Sequence, residues 1–312
     1  MSRPLAILAA VATGVVVFAM AADASAFCRS TTCRTVGAKE CPKDDNDCPS
    51  SGAKLFWPTS CVSYAMNRLG TQDLDPVETR NVLRKTFGTW SDVPCPGGGV
   101  AKFTFQEREP VACKKSEYNK DGKNLNVILF QDDDWKYRGI DGTLAKTSVT
   151  YNDETGEILD ADIEVNTANN TVTLSNDKVE YDFQAIMTHE VGHFIGIAHS
   201  PFDSAVMYAS YSPGSLAQRK LTQDDIEAVC AIYPPDSKVA CNTEPRGGFS
   251  ATCDSNDDEK KGCSVASLGS SPEGSGTYAA MGGIGVLFGL TATRLRRSKR
   301  RGKSFHEVGG RS

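Results

Sequence analysis

The segment HEVGHFIGIAHS, residues 189–200, holds three of the chain's four histidines, and no other stretch limits the fold as tightly. His189 and His193 stand four apart, so on a helix their imidazoles project from one face and can share an ion. Glu190 lies about 100° further round the same helix, turned toward whatever the ion holds rather than toward the ion itself. Gly196 can take a positive φ and end the helix sharply, which lets the chain double back and bring His199 to the same point. The fold must therefore bury this helix and hold the returning chain beside it. Two histidines at this spacing arise readily by chance. The added glycine and third histidine, in a chain so poor in histidine, argue against ordinary core packing.

Around this segment the pattern is that of a mixed globular domain. Residues 73–91 space Val77, Val82, Leu83, Phe87 and Trp90 for a helix with Pro76 in its first turn. Strand patterns follow at 102–105, 125–130, 146–151, 158–165 and 171–174, with a turn at 153–157. Asp182 is the expected N-cap of the histidine helix, whose buried side carries Phe183, Ile186, Met187, Val191 and Phe194. Thr222 and Asp225 read as a capping box for a last helix through Ile226, Val229 and Ile232, stopped at Pro234 and Pro235. Strands leading into helices predict an α+β domain over 54–235, in which a twisted mixed sheet carries the histidine helix and a C-terminal helix.

The flanks read differently. Arg3 precedes an apolar run over 5–22, and Ala24, Ser25 and Ala26 make a small-residue cleavage site. Residues 1–26 are therefore expected to be an export signal, with Phe27 as the mature start; an uncleaved membrane anchor is the competing reading. All eleven cysteines follow it, at 28, 33, 41, 48, 61, 95, 113, 230, 241, 253 and 263. In an exported chain they predict disulfides in an oxidising compartment, with Cys95 to Cys113 and Cys241 to Cys253 as the local pairs. Residues 27–53 form a short cysteine-rich leader, and 236–277 read as a polar spacer. Residues 278–312 join an apolar, glycine-rich stretch to a basic block at 294–303. The net charge of −5 hides that block, and the acidic body argues against nucleic acid as a partner.

The complete pattern H-E-x-x-H-x-x-G-x-x-H is the metzincin signature, and more of the chain resembles one metzincin family, the matrixins. Ala205, Val206, Met207 and Tyr208 resemble the metzincin Met-turn, with Met207 beneath the metal. Residues 221–234, LTQDDIEAVCAIYP, look like the closing helix of matrixin catalytic domains. Phe56-Trp57 and Phe87-Gly88-Thr89-Trp90 are similar to the matrixin opening, and DADIEVN at 160–166 resembles a strand of bacterial matrixin-like proteases. The resemblance implies a zinc-dependent endopeptidase acting on proteins or peptides. It assigns one catalytic zinc to His189, His193 and His199, the general base to Glu190 and support of the site to Met207. It also lays substrate along a strand edge at Leu144, Ala145, Lys146 and Thr147.

Two departures qualify the resemblance. The chain has no PRCGxPD segment, so latency by a cysteine on the zinc is not expected. The domain has no spare histidine for the structural zinc of animal matrixins, so one zinc is expected rather than two. Calcium has three candidate groups of oxygen ligands: Asp132, Asp133 and Asp134; the turn at 153–157; and Asp160, Asp162 and Glu164.

The apolar stretch at 278–293 is shorter than the about 20 residues of a full membrane span, and the basic block would keep that end cytoplasmic. Gly262-Cys263-Ser264, a spacer, the apolar run and an Arg-rich end resemble the C-terminal sorting tails of myxobacterial surface proteins. That implies bacterial origin, processing near Cys263, membrane contact through the tail, and display at the cell surface or outer membrane. It leaves ten cysteines to pair. A simple membrane anchor is the competing reading of the tail. For the domain, the competing reading is a surface binding module that keeps zinc without turnover. Glu190 favours the enzyme, because a structural site needs no base.

Overall fold

The computed structural model describes residues 27–34, 40–137 and 143–253, together with the backbone of 303–304 and 309–311. Strand β1 (Cys61–Met66) leads to helix α1 (Pro76–Thr89) and then to strands β2 (Thr104–Glu107), β3 (Val127–Phe130), β4 (Ala145–Tyr151) and β5 (Ile158–Val165). The short strands β6 (Val172–Thr173) and β7 (Tyr181–Asp182) precede helix α2 (Phe183–Phe194). Strand β8 (Ser210–Tyr211), helix α3 (Gln223–Ile232), and the tail strands β9 (Lys303–Ser304) and β10 (Gly309–Arg311) complete the series.

The main sheet has the order β10-β4-β5-β3-β1-β2, and every pairing is parallel except that of β4 with β5. Ala145, Thr147 and Val149 of β4 lie opposite Val165, Ile163 and Ala161 of β5. With a side-chain period of two, these six share one face of the sheet, and helix α2 packs on that part of it. Helix α1 and the 3-10 turn Ala217–Arg219 pack on α2 in turn. This is an α+β domain with its histidine helix as the middle layer.

That position explains a difference from the sequence reading. The helical pattern assigned one side of α2 to the core, yet all twelve of its residues are buried. Elements on several sides leave the helix no solvent face, so its polar residues are buried too. Phe87 of α1 stacks on Tyr64 of β1 at 3.6 Å and meets Phe194 of α2 edge-on at 5.8 Å. Each such buried aromatic stabilises the domain by about 2–3 kcal/mol.

Both helix starts follow from their caps. The Asp75 carboxylate accepts from the Val77 and Glu78 amides at 3.0 and 2.9 Å, and Asp182 accepts from Ala185 N at 2.8 Å. Val77, spaced with the apolar positions of α1, is 65% exposed, while Leu83 and Phe87 are buried. Strand β1 was not expected at all. CVSYAM is buried along its whole length, so it shows no alternation to read. The strand expected at 102–105 begins at Thr104, and Phe103 instead stacks on Tyr233 at 4.1 Å.

Both local disulfide expectations are overturned. Cys95 pairs with Cys230, Cys241 with Cys61 and Cys113 with Cys253, closing 135, 180 and 140 residues. Cys28–Cys48 and Cys33–Cys41 staple the leader. Proximity in sequence misled here, because the sheet brings distant segments together. In the chain-entropy picture each long closure contributes about 5 kcal/mol by constraining the unfolded chain. Residues 236–253, the start of the expected spacer, lie against the body: Ala240 O accepts from Ser60 N and Thr243 O from Ser63 Oγ. Cys263 and the sorting-tail features lie outside the described residues, apart from the backbone of β9 and β10.

Candidate metal centre

Helix α2 carries His189 and His193 with their Nε2 atoms 3.1 Å apart. At the end of the helix Gly196 takes φ +95°, and a Cβ there would lie 2.6 Å from Leu55 O. Only glycine allows the chain to reverse this close to its neighbour. Ile197 N bonds back to Gly192 O, and the return brings His199 Nε2 to 3.2 Å from His193 Nε2.

The two helix rings are each held in one tautomer. His189 Nδ1 lies 2.7 Å from Val206 O and His193 Nδ1 lies 2.8 Å from Ile197 O. A carbonyl only accepts, so each Nδ1 carries the proton and each Nε2 turns a lone pair toward the shared centre. Two nitrogens bound to a tetrahedral zinc stand about 3.3 Å apart, close to the spacing seen here. Burial, and then the neighbouring His193 and His199, hold the His189 imidazole well below the usual histidine range, so it stays neutral and able to ligate. The donor set therefore fits zinc.

Glu190 is fully buried beside these rings. Its Oε2 accepts from the Thr147 hydroxyl at 2.5 Å, while its Oε1 has no hydrogen-bond partner. Burial pushes the carboxyl up to about 8, against the pull of the Thr147 hydrogen bonds and the Lys146 charge. A cation at the histidines would pull it further down.

Met207 packs under the helix at Gly192, where any Cβ would fall 2.1 Å from the Met207 sulfur. Two indoles hold the helix: Trp90 Nε1 donates to Thr188 O at 2.9 Å, and Trp57 Nε1 to Phe194 O at 2.8 Å. Asp225 was legible only as a cap for α3. Its carboxylate also accepts from the Val206 and Met207 amides at 3.0 and 3.1 Å, fixing the carbonyl that orients His189. A buried aspartate facing a turn eighteen residues away leaves no signal in one sequence.

The leader was a second omission. Ser30 N donates to Gly196 O and Ala198 N to Cys28 O, at 3.0 and 2.9 Å. Ala198, the residue before His199, packs with Cys28 and Cys48. The stapled leader thus braces the turn that delivers the third histidine.

Ala145, Lys146 and Thr147 open strand β4, and Leu144 immediately precedes it. Leu144 O accepts from Asn166 N, so in the antiparallel ladder Leu144, Lys146 and Ser148 turn their backbone groups toward β5. Ala145 and Thr147 turn theirs to the opposite edge, and β10 borders that edge only from Ser148 to Thr150.

Among the described residues, His189, His193 and His199 are the one group of metal-binding side chains whose ligand atoms converge, all within 4.8 Å. Several carboxylates offered for calcium have protein partners. Asp132 accepts from Thr71, Gln72 and Thr167, and Asp153 pairs with Arg34. Asp162 accepts from Val127 N, and Glu164 meets Lys136, Gln131 and Tyr137.

Comparison with known proteins agrees with this geometry. The family described as Matrixin matches residues 56–234. The chain is 28% identical over 189 residues to Metalloendoproteinase 1-MMP of Arabidopsis thaliana, covering 60% of this chain and 46% of that protein. It is 26% identical over 193 residues to human Matrix metalloproteinase-16, covering 61% and 29%. It is 28% identical over 203 residues to human Neutrophil collagenase, covering 63% and 38%. The chain spans less than half the length of these relatives.

Proposed function

The chain belongs to the matrixin family of zinc metalloendopeptidases, and we propose that it cleaves peptide bonds within proteins at the His189, His193 and His199 centre. One observation carries the proposal: three Nε2 atoms converge beside a buried carboxylate whose second oxygen is unengaged. Zinc, when bound, supplies a Lewis acid that acidifies water and polarises the scissile carbonyl. Glu190 takes a proton from the attacking water and returns it to the leaving amine. The outward backbone groups of Ala145 offer an extended substrate a strand to pair with.

Export is part of the proposal. The signal pattern at 1–26 supports it, as do five disulfides of the kind that persist outside reducing compartments. Display at the surface by a processed tail rests on the sequence at 262–312. Among the described residues no helix is long and apolar enough to cross a membrane.

Digestion of casein or gelatin by the full chain, with and without a chelator, tests the activity. Cleavage is expected to stop with the chelator, return with zinc, and be absent in Glu190→Ala. A zinc-loaded chain that cleaves nothing in a broad peptide library would leave the binding-module reading in place. Mass spectrometry of the cell-surface protein tests export, with Phe27 expected first and Cys263 at or near the new C-terminus.

A further inference from the structure

Thr147 lies on β4, the strand whose edge faces the substrate, yet its side chain points the other way. It is fully buried, and its hydroxyl reaches both the Glu190 main-chain oxygen at 3.1 Å and Glu190 Oε2 at 2.5 Å. One hydroxyl has one proton, and the shorter contact takes it. Glu190 Oε1 has no partner. One residue therefore anchors one side of the carboxylate and leaves the other oxygen unengaged.

We propose that Thr147 is the positioning residue of the general base: its hydroxyl fixes the Glu190 carboxylate so that Oε1 alone faces the attacking water. The inference rests on the reading of Glu190 as base. It gives Thr147 a task separate from holding substrate, because the hydroxyl acts through the side chain and strand pairing acts through the backbone. It also links the two elements of the site. Strand β4 carries both the substrate edge and the group that orients the base, so a substrate paired to β4 is in register with Glu190.

The test uses the full zinc-loaded chain and one peptide substrate, with Thr147→Val, Thr147→Ser and Glu190→Ala compared for kcat, KM, bound zinc and Tm. Thr147→Val keeps the shape and removes the hydroxyl, so kcat is expected to fall about tenfold, the size of one charge-assisted hydrogen bond. KM and bound zinc stay unchanged, and Thr147→Ser restores most of kcat. Thr147→Val at parental kcat, a change in KM alone, or a failure of serine to rescue would overturn the inference. If Thr147→Val does not fold, the serine variant decides: it retains kcat if the hydroxyl matters and loses it if the methyl packing does. Appreciable activity in Glu190→Ala would instead bring down the reading of Glu190 as base.

Discussion

The two halves of the metal centre are built in different ways. His189 and His193 ride on one helix, buried on every side and fixed by two tryptophan indoles and the Met-turn carbonyl. His199 sits past a reversal that depends on Gly196 and on a leader segment more than 160 residues away in sequence. The spacing of the helical half is set once α2 forms, and distant segments only fix its orientation. The returning half exists only when several distant segments have docked. Local geometry thus positions two ligands, and tertiary structure positions the third.

Removing ligands tests this contrast most severely. His193 lies within 3.2 Å of both partners, so His193→Ala leaves two ligands on different elements. It is expected to retain no zinc through dialysis and to lose roughly a thousandfold or more in cleavage rate. His199→Ala is expected to lose activity as completely but to keep a weak, measurable zinc affinity, because the helical pair remains. Equal zinc loss in the two variants would remove the distinction.

Weaker perturbations sharpen it. Asp225→Ala frees the Met-turn amides and is expected to lower zinc affinity by about 10–100-fold, the usual effect of losing an outer-shell partner, as read by competition with a chelator. Gly196→Ala forces a Cβ against Leu55 O and is expected to cost about 2–3 kcal/mol, lowering Tm by roughly 5–10 °C. The smallest effect on the metal comes from the staple. Cys28→Ser with Cys48→Ser removes about 3 kcal/mol and should release zinc severalfold faster, because it loosens the brace on Ala198. Cys113→Ser with Cys253→Ser removes about 5 kcal/mol but should leave zinc release unchanged below the unfolding transition.

The same division explains what could be read from the sequence. The three histidines, Glu190, Gly196 and the caps Asp182 and Thr222 depend on neighbours a few residues away, and spacing reveals such relations. The long patterned elements α1, α2, α3, β4 and β5 were legible for the same reason. Strand β1 was not, because burial along its length erases alternation. The disulfides, the Asp225 clasp, the leader brace and the Thr147 hydroxyl were not legible either, because each joins segments that only the folded sheet brings together.

Titrating zinc into the metal-free chain while following bound metal and peptide cleavage together tests the central claim most directly. Activity is expected to rise in proportion to zinc bound at His189, His193 and His199 and to reach its plateau at one equivalent. A site that fills without activity, or cleavage that persists before any zinc is bound, would contradict the account.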